Sequence, residues 1–161
     1  MNALRDDRAS AAVTTVVLLP LLLTVFAGVL QLGAIRVAAA RVRAAADLAT
    51  LVAVNDQDDA ELARTGALRL AGDAEDVARE YFARELEFSE SLLAGSAPEI
   101  AARADIAAYP SAPAVDTRTG ARYERPVVRL AADVPLRTPI FGALAFQPVT
   151  TIGVLAVSSP R

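Results

Sequence analysis

Residues 9–35 have the sequence ASAAVTTVVLLPLLLTVFAGVLQLGAI, and this uncharged stretch decides the architecture of the chain. Arg8 and Arg36 bound it, and no charged side chain interrupts its 27 positions. A transmembrane helix needs about 20 apolar residues, and at 1.5 Å per residue this stretch reaches roughly 40 Å. The sequence therefore predicts a retained membrane span.

A cleaved secretory signal is the alternative interpretation of the same stretch. Such a signal has an apolar core of about 7–15 residues, followed by a cleavage site made of small side chains. Ala38–Ala40 supplies small side chains of that kind, but the apolar stretch before them is too long. The length of the stretch therefore favours the retained span.

Pro20 lies well inside the predicted span. Proline has no backbone N–H, so it removes one helical hydrogen bond and its ring pushes against the preceding turn. Membrane helices tolerate this when neighbouring groups satisfy the freed carbonyl. We therefore expect one helix that is kinked at Pro20.

The helix is expected to continue beyond the span as an amphipathic stalk. Residues 36–54, RVAAARVRAAADLATLVAV, contain neither glycine nor proline and are rich in alanine, the best helix former. Two stripes at helical spacing follow from this stretch: an apolar one of Val37, Ala44, Leu48 and Leu51, and a charged one of Arg36, Arg43 and Asp47. Arg43 and Asp47 are one turn apart and can form an ion pair. The flank of small side chains suits close packing against other helices or a following domain.

The acidic segment 55–59 is expected to end this helix and begin the next. It is not a calcium-binding loop, because no glycine stands at the sixth position and Ala67 replaces the glutamate of the twelfth. Helices are then predicted over about 60–71 and from Asp73 to about residue 94, before Gly95. The second has an apolar stripe of Val77, Ala78, Tyr81, Phe82, Leu86 and Leu93.

Strand patterns dominate the remainder of the chain. Apolar and polar residues alternate over 100–108 and again over 128–136, and residues 149–158, VTTIGVLAVS, form a third β-rich stretch. A loop is expected from Pro110 to about Gly120, and the stretch TPIFGALAFQP at 138–148 is a short apolar element between the last two strands. The predicted class is α+β: a leader-like segment 1–9, a long helix 10–54, and a head 55–161 with one or two helices on a three-stranded antiparallel sheet.

The side-chain inventory of the chain excludes most enzyme chemistry. The chain has no cysteine and no histidine, and all 16 basic residues are arginine. It therefore has no Ser-His-Asp triad, no thiolate nucleophile, no ordinary zinc site and no P-loop lysine. The acids Glu85, Glu87, Glu90, Asp105 and Asp133 are expected on solvated faces rather than in a cleft. We predict a chain that is not an enzyme, with no cofactor, no metal, no nucleic-acid partner and no small-molecule substrate.

The N-terminal region resembles a known family. Residues 8–23, RASAAVTTVVLLPLLL, are followed from Arg36 by an alanine-rich helix containing Ala45-Ala46-Asp47, and this order is similar to the start of TadE/TadG-like proteins. These are type IV pilin-like pseudopilins of the Flp (tight adherence) pilus system. The resemblance covers about 45 residues, and the last part of the chain, from Val128, is similar more weakly. It implies a minor structural subunit or assembly factor that acts through helix packing.

The resemblance also implies particular roles for residues near the amino terminus. The glycine of the prepilin-peptidase site falls on Ala9, so processing would separate Ala9 from Ser10, and the glutamate of the pilin helix falls on Thr14. Thr14 cannot make the buried charge pair of a shaft subunit, which favours a tip or other minor position.

The resemblance further implies partners and a location. The implied partners are the membrane, other pilin-like subunits, prepilin peptidase and the pilus assembly platform. Charge alone leaves the orientation open, because Arg5, Arg8 and the amino terminus precede the span and three arginines, Arg36, Arg41 and Arg43, follow it. The family keeps its amino terminus cytoplasmic, which implies a single-pass protein of the inner membrane with an extracytoplasmic head, or one that reaches a cell-surface pilus. The alternative function is a signal-anchored extracytoplasmic binding domain that does not enter a filament.

Overall fold

The computed structural model describes the backbone of residues 3–143 and 148–160, and within these ranges the side chains from residue 14 onward. The longest element is α1, a 53-residue helix from Ala3 to Asn55. Its end at Asn55 confirms that the acidic segment 55–59 terminates the helix. The head folds against the second half of α1, and the whole chain is therefore one long helix with an α+β head.

The small side chains of α1 form the face that packs against the head. The buried residues of this face are Ala38, Val42, Ala45, Ala46, Ala49 and Ala53. Alanine lets the helix axis approach its neighbours closely, because no side chain beyond Cβ separates the backbones. The expected packing of the small-residue flank against a following domain is confirmed.

The larger apolar side chains of this part of α1 point the other way. Leu48 and Leu51 are 40% and 48% exposed, and Val37 is exposed as well. Among the described residues, Arg43 does not form the ion pair with Asp47 that their spacing allows. The outward stripe of the stalk is therefore not covered by any part of the chain that the structure describes.

The predicted helix over 60–71 is shorter in the structure. Helix α2 spans Asp59–Thr65, and its N-cap Asp58 accepts a hydrogen bond from the Glu61 N–H at 3.0 Å. Gly66 ends it in the left-handed conformation, with φ of 72°, and donates its N–H to Leu62 O at 2.8 Å. Glycine adopts this conformation without steric cost, and it therefore stops the helix before residue 71.

Helix α3 spans Ala74–Glu87, and a single 3-10 turn follows at Glu90–Leu92. Asp73 stands at the N-cap position as predicted, although its side chain makes no capping hydrogen bond. The buried face of α3 consists of Ala74, Ala78, Phe82 and Leu86. The predicted stripe is confirmed as far as Leu86, but the helix ends at Glu87 instead of near residue 94, so Leu93 is buried from outside it.

The first predicted strand is half wrong, because residues 97–103 are helical. Helix α4 spans Ala97–Arg103, and the strand β1 is only Asp105–Tyr109. Ser96 and Glu99 form a capping box at the start of α4, with a proline in the first turn. These local signals start a helix, and alternation of alanine with polar residues is compatible with either structure. The capping box therefore decides the conformation of this segment.

The sheet consists of three antiparallel strands in the order β1, β4, β5. Strand β4 spans Val127–Arg137 and β5 spans Val149–Ser158, as the alternation predicted. Between β1 and β4 lies a short hairpin of β2, Ala114–Val115, inside the predicted loop, and β3, Arg122–Tyr123, just beyond its predicted end at Gly120. Between β4 and β5 lies the short helix α5, Pro139–Ala143. Helices α1 and α3 cover one face of this sheet.

Enlarging a buried alanine of α1 tests this packing. We expect Ala49→Leu to lower the free energy of unfolding by about 1–3 kcal/mol, because the buried side of the helix leaves no room for a larger side chain. The matched control is Ala44→Leu, which adds the same atoms on the exposed side and should change stability by less than about 0.5 kcal/mol. Urea unfolding of the two variants in detergent, followed by circular dichroism, measures the difference. Equal destabilisation by the two substitutions would contradict this packing.

Candidate functional site

The first half of α1 exposes its apolar side chains. From Thr14 to Leu30 every side chain is exposed except Ala27 and Gly28, which are half-exposed, and Val16 and Phe26 are 71% and 61% exposed. Exposed apolar surfaces of this extent are rare on soluble monomers. Helix α1 is long and apolar enough to span a membrane.

The buried Gln31 marks the point where the head begins to cover α1. Only 2% of Gln31 is exposed, and its Oε1 accepts the backbone N–H of Ile140, at the start of α5, at 3.0 Å. The contact between Gln31 and α5 lies inside the predicted span over 9–35, and the C-terminal limit of that span stays a prediction. The uncharged residues from Ala9 to Leu30 rise about 33 Å as a helix, close to the thickness of a hydrocarbon core.

The structure places the predicted site residues along one helix and does not bring them together. Ala9 and Ser10 lie within the backbone of α1, and their side chains are outside the described residues. Thr14 is exposed on the apolar segment. Their roles in processing and in charge pairing stay predictions.

Helix α1 continues without interruption through Pro20. The carbonyl of Pro20 accepts a hydrogen bond from the Thr24 hydroxyl at 2.8 Å, one turn further along. Threonine hydroxyls commonly bond to the carbonyl four residues before them, and this removes an exposed polar group from an apolar surface. The kink at Pro20 stays a prediction.

Helix α1 also passes unbroken through Ala38–Ala40, the segment that a signal peptidase would have to cleave. Ala38 is buried against the head, so cleavage there would cut a packed helix. The next turns belong to the same buried face. This packing supports a retained helix over a removable signal.

A cluster of charged side chains lies on the face of the sheet opposite α1 and α3. It consists of Asp105, Asp116, Arg118 and Arg129, and Asp116 is at its centre. Asp116 is fully buried in the loop between β2 and β3. Its Oδ1 accepts the Arg118 N–H at 2.9 Å, and its Oδ2 accepts the Thr119 hydroxyl at 2.7 Å. These hydrogen bonds, with that of Thr119 the strongest, hold the pKa of Asp116 far below its ordinary value.

Arg129 joins this loop to the sheet. Its side chain is only 5% exposed, and its Nη2 donates a hydrogen bond to Asp105 Oδ2 at 2.8 Å. Its Nε lies 3.1 Å from Asp116 Oδ2, at an angle that suits an ion pair rather than a hydrogen bond. Burial lowers the pKa of Arg129, but the hydrogen bond with Asp105 and the two nearby carboxylates raise it by more.

Asp105, which the sequence predicted on a solvated face, is 36% exposed and is also paired with two arginines. The hydrogen bond from Arg129 outweighs the effect of burial and lowers the pKa of Asp105, and Arg118 forms a second ion pair with the same carboxylate. Arg129 lies on the outward face of the sheet, and its side chain is buried there because the hairpin β2–β3 covers it. The cluster fastens the hairpin to the sheet and has the character of a structural network.

Sequence reasoning missed Asp116, although a local signal was present. Asp116-Thr117-Arg118-Thr119-Gly120 is typical of a turn in which the first side chain accepts hydrogen bonds from the residues that follow it. Gly120, with φ of 74°, closes this turn. What the sequence cannot show is that Arg129 meets this turn from a strand further along the chain.

An open groove of about 820 Å³ lies on this outer face of the sheet, next to the cluster. Arg103, Arg118, Asp133 and Leu155 are among the residues that line it. In the described part of the chain, no three acidic side chains come together as a metal site. The groove offers charged and apolar contacts, and it presents no nucleophile paired with a base.

The paired carboxylates of Asp105 and Asp116 predict an acid-sensitive head. Because the folded pKa of Asp105 and of Asp116 lies below the value of about 3.9 in an unfolded chain, the unfolded state binds more protons in acid. The stabilisation is complete above about pH 5 and is lost as the pH falls through the two folded pKa values. We expect Asp116→Asn to lower the free energy of unfolding at pH 7 and to flatten its decline below pH 5.

Urea unfolding at pH 7 and at several pH values below 5 measures this decline. The control is Asp133→Asn, which neutralises an exposed carboxylate on the same strand as Arg129 and should preserve the decline of the unmodified chain. An unchanged acid dependence in Asp116→Asn would exclude Asp116 as its source.

Comparison with known proteins adds no name to this architecture. No family model matches the chain, and neither a curated protein nor a solved structure is found to be similar to it. The features that bear on function are therefore the sequence pattern and the two surfaces of α1.

Proposed function

We propose that the chain is a minor pilin-like structural subunit or assembly factor of a Flp/Tad-type pilus, similar to TadE/TadG-like proteins. One observation supports this most directly: α1 exposes an apolar half, and the other half is an integral part of the packed head. A subunit that moves between membrane and filament needs such a helix, since the apolar half must be covered by lipid in one state and by other helices in the next.

The continuity of α1 gives this proposal a mechanism. Because no break separates residue 30 from the buried face that begins at Gln31, a force on the head acts directly on the apolar segment. Withdrawing that segment from lipid exposes apolar surface unless neighbouring helices replace the lipid at once. The subunit therefore acts through helix packing and needs no catalytic group.

The threonine at position 14 supports a minor or tip position. In a repeating shaft, the carboxylate of each subunit pairs with the amino terminus of a neighbour, and an unpaired carboxylate in the bilayer is costly. Thr14 has no charge to pair. A subunit without this pair suits a place that is occupied once or rarely.

The proposed orientation has the amino terminus in the cytoplasm and the head outside the inner membrane. Processing between Ala9 and Ser10 by prepilin peptidase belongs to this proposal, as does contact with the assembly platform. The second candidate function is an anchored binding domain that never enters a filament. The groove beside Arg103 and Asp133 favours it, because this surface is open on the head.

Intact mass and filament content distinguish the two functions. The native protein is purified from membranes and weighed, and pili sheared from the same cells are probed with an antibody against the head. We expect loss of residues 1–9, presence of the chain in sheared pili, and immunogold label at filament ends rather than along the shaft.

Other outcomes have defined meanings. The full mass, with no chain in sheared pili, would contradict the pilin-like function and favour the anchored binding domain. Label distributed along the shaft would contradict the tip position alone. Cleavage near Ala40 with release of a soluble head would contradict both functions.

A further inference from the structure

Strand β5 has an unpaired edge. It pairs with β4 over all ten of its residues, from Val149 to Ser158, and its helix-facing side packs against α1. Among the described residues, no backbone hydrogen bond reaches the other edge of β5. An exposed edge of this kind presents a row of free N–H and C=O groups to any extended chain.

The opposite edge of the sheet, formed by β1, is covered by side chains of α3. The N–H of Ala108 in β1 donates to Glu75 Oε1 of α3 at 2.9 Å. The guanidinium of Arg79 donates to the carbonyls of Ala101 and Ala104, just before β1. Side chains of α3 thus occupy the β1 edge, and no equivalent covers β5 among the described residues.

The sequence of β5 also lacks the features that usually protect an edge strand. Its ten residues contain no charge and no proline, and Leu155 and Val157 are exposed on the outer face. Natural edges of this length are normally interrupted by lysine, proline or a bulge. An uninterrupted apolar edge is suited to pairing with another strand.

The flank of α1 above this edge carries two arginines, Arg36 and Arg43, and one aspartate, Asp47, which leaves it with a net charge of +1. Arg36, Arg43 and Thr50 are seven residues apart, and they therefore lie along one line of the helix. Thr50 shows which way this line faces, because its hydroxyl lies 2.8 Å from the hydroxyl of Ser158, at the end of β5. Both arginines are exposed, and among the described residues neither has an acidic partner within 4.0 Å.

The direction of α1 argues against a second copy as the occupant of this edge. Gln31 lies beside Ile140, just before β5 begins, and Thr50 lies beside Ser158, so α1 and β5 run in the same direction. Antiparallel pairing of two β5 edges needs a two-fold axis perpendicular to the sheet. This axis would point the two α1 helices in opposite directions, which two subunits anchored in one membrane cannot do.

We propose that the free edge of β5 binds an extended, acidic segment of another protein by strand addition. The backbone of the segment pairs with β5, its carboxylates at alternate positions face Arg36 and Arg43, and its other side chains lie beside Leu155 on the outer face. The charge complementarity determines which segment binds, and the backbone hydrogen bonds supply much of the affinity. This surface lies outside the apolar segment of α1 and is independent of helix packing in a filament.

Two synthetic peptides test this proposal on the full chain in phosphatidylcholine nanodiscs. One is a blocked ten-residue peptide of alternating valine and glutamate, and the other replaces glutamate by lysine. Fluorescence anisotropy measures binding, and hydrogen exchange reports protection of residues 149–158. We expect the glutamate peptide to bind about tenfold more tightly than the lysine peptide and to slow exchange in β5.

Charge-reversed variants test the direction of recognition. Arg36→Glu with Arg43→Glu should weaken binding of the glutamate peptide about tenfold and strengthen that of the lysine peptide. The matched control is Arg41→Glu, which makes the same charge change on the opposite flank of α1 and should alter binding less than twofold. Equal binding of both peptides, or an equal loss in the Arg41 variant, would overturn the proposal.

Two further results would also overturn it. Protection of β5 that rises with protein concentration, without any peptide, would identify a second copy as the occupant. Protection that depends on anionic lipid in the nanodisc, and not on the peptide, would assign Arg36 and Arg43 to lipid headgroups.

Discussion

The architecture depends on the close contact between the alanine face of α1 and the sheet. Ala46, Ala49 and Ala53 are fully buried there, and each presents only a methyl group to β4, β5 and α3. Side chains this small bury modest area individually, so the stability of the contact comes from its length and from the close approach of the backbones. The head is thus built around the helix rather than attached to its end.

The same helix serves two different surroundings, and Gln31 separates them. Before it, the large apolar side chains are exposed among the described residues; after it, the small side chains from Ala38 onward are buried against the head. The side-chain carbonyl of the buried Gln31 accepts a hydrogen bond from the N–H of Ile140, so this buried acceptor has a partner. We therefore expect the membrane surface to lie close to the part of the head that contacts Gln31, at α5.

The sequence predicted helices and strands correctly where one continuous segment carried a pattern over many residues. The uncharged stretch, the alanine-rich continuation and the alternation in β4 and β5 each extend over about ten residues or more, which is enough to define a period. The prediction failed at α4, where alternating alanine fits helix and strand alike and the capping box of Ser96 and Glu99 decides.

Sequence reasoning also missed the contacts that join distant segments. The meeting of Asp105, Asp116 and Arg129 depends on how the hairpin folds over the sheet, and no spacing in the sequence encodes that contact directly. The free edge of β5 is likewise visible only once the strand order is known, because the same ten residues would be fully paired in the middle of a sheet.

Two environments are expected along a retained α1: lipid around its first half and the head against its second. The absence of native cysteine means that any introduced cysteine takes a spin label alone. Labels placed singly at Leu18, Leu22 and Phe26, and then at Val37, Leu48 and Leu51, are compared in nanodiscs by their accessibility to oxygen and to a water-soluble nickel chelate. We expect oxygen, and not nickel, to reach the first three labels, and nickel to reach the last three. Access of nickel to the first three labels would contradict this expectation.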